Sequence, residues 1–60
     1  MCIVDVKYFY VENGEKVWYT DNNVFDELEP DVLLKHTNTI VKNILDEHPN
    51  ATIKEINIWW

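Results

Sequence analysis

The only glycine in the chain, Gly14, stands in Glu12-Asn13-Gly14-Glu15 between two runs of β-branched and aromatic residues. A two-residue type I′ turn needs positive φ at both central positions, which asparagine tolerates and glycine takes freely. An Asn-Gly pair so flanked predicts a hairpin and sets its register: Tyr10 opposite Val17, Phe9 opposite Trp18 and Tyr8 opposite Tyr19. Residues 2–11 form the first strand, with no glycine or proline, and residues 16–20 a short second one. Along the first strand Asp5 and Lys7 fall at odd positions. The even face (Cys2, Val4, Val6, Tyr8, Tyr10) is therefore assigned to the core, and Val17 and Tyr19 join it across the hairpin. Phe9 and Trp18 are left together on the opposite face.

Asp21-Asn22-Asn23 reads as the end of the second strand. Asp26-Glu27-Leu28-Glu29 has the form of a capping box, and Pro30 is an equally good first-turn residue. A helix is expected over about 27–48, because Leu33, Leu34, Ile40, Val41, Ile44 and Leu45 recur at helical period. Lys35, Asn38, Lys42 and Asp46 take the wet side, and Pro49-Asn50 turns the chain. Residues 52–60 are a third strand, with Ile56, Ile58 and Trp60 on one face and Glu55, Asn57 and Trp59 on the other. The expected fold is α+β, a two-layer ββαβ domain over residues 1–60. Its antiparallel sheet has order 2-1-3, with one helix on one face and a right-handed helical crossover.

Sixty residues permit one domain, and a single cysteine excludes an internal disulfide. Ordering such a chain costs on the order of 90 kcal/mol, so roughly 3,600 Å² of apolar burial is needed to break even. Eight aromatic residues point to dense packing, or else to association with a second chain. Charge is unevenly placed. Residues 1–31 hold eight carboxylates against Lys7 and Lys16, a net of −6, whereas residues 32–60 hold three of each sign. With five lysines and no arginine the chain is poorly equipped to grip phosphates, and direct nucleic-acid binding is not expected. Met1-Cys2-Ile3-Val4-Asp5 lacks the basic start of a signal peptide, and no apolar run reaches membrane-spanning length. The Asn50-Ala51-Thr52 sequon reads as chance, and a reduced, cytoplasmic protein is expected.

No residue set here carries catalysis. Asp21-Asn22-Asn23 opens like a calcium loop, but Asp26 stands where its glycine belongs and Val32 where its bidentate glutamate belongs. The carboxylates of residues 26–31 suit the positive end of a helix, so no metal is assigned. His36 and His48 lie about 18 Å apart on one helix and cannot share a ligand; solvent contact and helix capping account for them. Cys2 is read as a small buried hydrophobe. Serine–histidine–aspartate order, CxxC, HExxH and a glycine-rich phosphate loop are all missing. Neither an enzyme nor a cofactor is expected.

That leaves surfaces. The sheet face away from the helix should carry Ile3, Phe9, Val11, Trp18 and Trp59, with Asp5, Lys7, Lys16, Glu55 and Asn57 among them. An aromatic patch rimmed by charge marks a partner-binding face. A second candidate is an acidic edge of Asp21, Asp26, Glu27, Glu29 and Asp31, which would speed association with a basic groove. In size and acidity the chain resembles the small bacteriophage-encoded inhibitors of host or defence enzymes, anti-CRISPR and anti-restriction proteins among them. The likeness is one of general character and rests on no motif. The open aromatic face and the separate carboxylate-rich edge of so small a chain lead to an expected inhibitor or modulator of another protein, in one form a nucleic-acid mimic acting on a nucleic-acid-binding enzyme. The alternative is a homodimeric structural or regulatory protein joined through the aromatic face or a strand edge.

Overall fold

A computed structural model describes residues 1–60. The elements are β1 (Cys2–Glu12), β2 (Glu15–Phe25), α1 (Pro30–Glu47) and β3 (Thr52–Trp59). The sheet order is β2-β1-β3, both neighbours antiparallel, so the fold is the expected α+β arrangement with an open sheet. Asn13 and Gly14 take φ of 53° and 80°, and Tyr10–Val17, Phe9–Trp18 and Tyr8–Tyr19 face one another as the turn chemistry requires.

One strand end is corrected, one of the two offered helix starts is selected, and one irregularity is added. The second strand does not stop at residue 20: it runs through Asp21-Asn22-Asn23 to Phe25, which pairs with Cys2. The free edge of β1 supplies ladder partners there, and the polar side chains find their own. Asn22 donates to the Asp5 carboxylate, while Asn23 Nδ2 donates to Asp21 Oδ1 at 3.1 Å. Cross-strand pairing outweighs the weak strand preference of Asp and Asn. The helix begins at Pro30, and the capping box at 26–29 does not form. Glu29 is extended (φ −70°, ψ 152°), as a residue before proline prefers, and gives no side-chain cap. Its carbonyl accepts from Leu33 N–H at 2.9 Å instead. Third, β3 is not regular. Lys7 faces Glu55 but Tyr8 faces Ile53, so Lys54 is an extra residue in a bulge.

The core lies between the even face of β1 and one stripe of α1: Cys2, Val4, Val6 and Tyr8 against Leu33 and Ile44. Thr37 is also buried, its hydroxyl donating to the Leu33 carbonyl at 2.9 Å, which removes the penalty of an unpaired polar group. Tyr10, Val17, Ile40 and Val41 are half-buried, whereas Tyr19, Leu34 and Leu45 are exposed. The body is elongated, 40 × 17 × 13 Å. Its radius of gyration of 12.4 Å exceeds the ~10.4 Å of a compact chain of this length.

Candidate protein-interaction surface

Strand alternation sends Ile3, Asp5, Lys7, Phe9 and Val11 of β1 to the face opposite α1. Register then adds Lys16, Trp18, Thr20, Asn22 and Val24 from β2, and Glu55, Asn57 and Trp59 from β3. No layer covers this face. Phe9 and Trp18 pack ring against ring at 4.8 Å, tilted by 46°. The Lys16 ammonium lies 4.8 Å from the Phe9 ring centre, and that of Lys7 lies 5.9 Å from the Trp18 ring, both within cation–π range.

Beside them a shallow cavity of about 230 Å³ is lined by Lys7, Trp18, Lys54 and Glu55. Small-molecule sites occupy roughly 300–1,000 Å³ and are mostly apolar. This one is smaller and mostly charged, which suits a side chain better than a ligand. Lys54 reaches it because of the β3 bulge, and sequence alternation alone would not have placed it there. Three lysines thus stand against Asp5 and Glu55 on the open face, a local balance opposite in sign to the whole chain's −6.

The five apolar residues expected on this face do not form one patch. Phe9, Trp18 and Val11 gather toward the hairpin tip, while Ile3 sits between Val24 and Trp59 at the other end. Phe9 follows Ile3 by six residue steps along β1, about 20 Å. Between them run two polar rows, Asp5–Asn22–Asn57 and Lys7–Thr20–Glu55. The acidic residues divide as well. Asp26, Glu27 and Glu29 lie in the connection before α1, and Asp31 lies in its first turn. Asp21 is on the helix-side face of β2, part-buried and bonded to Asn23, so it does not belong to a continuous acidic edge.

On the helix side the aromatic residues form a stack. His48 lies flat on Tyr10 at 4.3 Å, and Tyr10 on Tyr19 at 5.7 Å, with Tyr8 against Tyr19 at 5.8 Å. The Tyr10 hydroxyl donates to Tyr19 Oη over a long 3.4 Å, and that bond with partial burial pushes the Tyr10 pKa up to about 12. Burial, then the Asp21 and Glu47 carboxylates, raises Tyr8. His48 also ends the helix, its backbone N–H donating to the Ile44 carbonyl at 2.8 Å. His36 stacks on Phe25 at 5.0 Å. Both histidines therefore have packing partners, a role their positions on the sequence had not indicated. Cys2 is buried as a free thiol, and no three Asp, Glu, His or Cys side chains converge into a metal-holding group. No helix is long and apolar enough to cross a membrane. The chain matches no protein-family model, no curated protein and no solved structure.

Proposed function

We propose that this chain is a non-catalytic binding module that docks on another protein and inhibits or modulates it, working in the cytoplasm. Its anchor is the Phe9–Trp18 pair, and the acid-rich connection of Asp26, Glu27, Glu29 and Asp31 guides association. The observation that supports this most is the aromatic pair held on an uncovered sheet face with Lys7 and Lys16 against its rings. A half-exposed tryptophan packed on a phenylalanine suits an interface centre, where Trp, Tyr and Arg supply most of the binding energy, and Lys7 and Lys16 supply the polar rim around it.

In its narrower form the proposal makes the chain a nucleic-acid mimic, whose carboxylates occupy the basic groove of a nucleic-acid-binding enzyme. Two experiments test it. A partner retained by the immobilised protein and released by a folded Trp18→Ala variant supports the aromatic anchor, and equal retention by both removes it. For the mimic, excess protein is added to a basic nuclease at low salt. Inhibition relieved by added salt supports the reading, and undiminished cleavage rejects it for that target.

A further inference from the structure

On the helix side of the sheet β3 lacks a cover that β1 enjoys. Ile56 and Ile58 share the face of Val6 and Val4, yet they are 43% and 37% exposed. The helix explains this. At 100° per residue, Leu33, Thr37 and Ile44 mark its sheet-facing stripe, and His36, stacked on Phe25, marks the flank turned to β2. Leu34, Val41 and Leu45 fall on the opposite flank, on the β3 side, and Leu34 is 58% exposed. Exposed apolar side chains, Ile56 and Ile58 on the strand and Leu34 and Leu45 on the helix, therefore lie on the side of the unpaired backbone edge of β3.

We infer that these apolar side chains and this edge bind a second copy of the same chain about a two-fold axis, β3 pairing antiparallel with β3 to make one six-stranded sheet. Charge selects this occupant. The −6 of the chain lies in residues 1–31, and the β2 edge leads into Asp26, Glu27 and Glu29, so two copies repel there. By contrast β3 carries only Lys54 and Glu55, one of each sign, and the flank of α1 beside it carries Leu34, Asn38, Val41 and Leu45 with Asp31 at its margin. Of the two free edges it is the one that brings fewer carboxylates together.

Register agrees. The bulge at Lys54 is the kind of device that blunts an edge, but it leaves residues 55–59 regular. Pairing centred on Asn57 sets Ile56 opposite Ile58 of the other copy and Glu55 opposite Trp59, with Asn57 facing itself. An isologous contact of this kind closes as a dimer and cannot grow into a fibre. Shape agrees too. The 4413 Å² surface exceeds the ~4,100 Å² of a monomer of this mass, and a standard interface of ~800 Å² per partner would remove that excess.

Light scattering and sedimentation between about 1 and 100 μM should give twice the 7.2 kDa chain mass. Ile58→Lys should weaken dimerisation at least about tenfold, while Val24→Lys on the β2 edge and Trp18→Ala should leave it unchanged. Asn57→Cys should oxidise to a covalent dimer, since directly opposed antiparallel residues lie within disulfide reach, and Thr20→Cys should not. This cross-link decides the matter even if Ile58→Lys fails to fold. A mass of one chain throughout overturns the inference. So does a dimer that Thr20→Cys captures, or one that Trp18→Ala dissociates. Failure here leaves the Phe9–Trp18 docking proposal standing, because the two use opposite faces of the sheet.

Discussion

Replacing Trp18 by alanine should lower stability measurably without unfolding the chain, and the size of the loss follows from its burial. Trp18 is 48% exposed, so it hides roughly half of the ~250 Å² that a large aromatic can bury. At about 25 cal/mol per Å² that is ~3 kcal/mol, an upper figure because the unfolded chain already shields part of it. The retained Cβ lowers the loss further, to about 2 kcal/mol with the Phe9 contact included. A sixty-residue domain holds roughly 3–9 kcal/mol in all, so most molecules stay folded. The melting midpoint should fall by about 8–16 °C, read by circular dichroism at fixed protein concentration. Loss of cooperative unfolding would refute the reasoning, because the pair would then be holding the sheet together rather than waiting on its surface. An unchanged midpoint would refute it from the other side, since it would mean that Phe9 and Trp18 do not rest on each other in solution.

Alkaline pH should destabilise the protein in a defined window. Tyr10 titrates near 12 in the folded chain against an ordinary 10.0, and Tyr8 is raised as well, so between those limits the folded state holds more protons than the unfolded one. Stability is then complete below about pH 10 and declines as pH climbs to about 12; Tyr10→Phe should flatten that slope in melting curves, and a slope unaltered by the change would discredit the Tyr10–Tyr19 bond. The double change Glu27→Lys and Glu29→Lys should slow association with a basic partner severalfold at low salt and barely alter it at about 0.15 M, as stopped-flow traces would show. Equal slowing at both salt levels would mean that these carboxylates touch the partner directly.

Sequence carried the fold where one local signal sufficed. Asn13-Gly14 fixed the hairpin register, and the spacing of Leu33, Ile40 and Ile44 announced the helix, because turn chemistry and helical period are local properties. It failed where a neighbour in space decided the outcome. Asp21-Asn22-Asn23 looks like a strand breaker until β1 is laid beside it, with Asp5 ready to accept from Asn22. The bulge at Lys54 left no mark in composition, yet it turned that lysine toward Trp18. Thr37 reads as a polar helix residue and is buried, since its hydroxyl can return to the Leu33 carbonyl four residues back. The surface was the least legible part. Alternation correctly assigned Ile3, Phe9, Val11, Trp18 and Trp59 to one face, but a face assignment holds no distance along the strand. Polar rows separate those residues into two groups.

That separation bears on how charge acts at the proposed docking face. From Trp18 to Phe25, where the acid-rich connection begins, β2 advances seven residues, or about 23 Å. The Debye length at physiological ionic strength is about 8 Å, so Glu27 and Glu29 are screened nearly three times over before their field reaches the aromatic pair. What a partner senses there is set by Lys7, Lys16 and Lys54, the local cations, and not by the chain's total of −6. The acidity can accelerate a distant approach when salt is low, but it cannot strengthen contact at Trp18 once the partner has arrived. A partner that needs the carboxylates for affinity must therefore reach the β2–α1 connection itself. It would have to span most of the 40 Å body to engage that connection and Trp18 together.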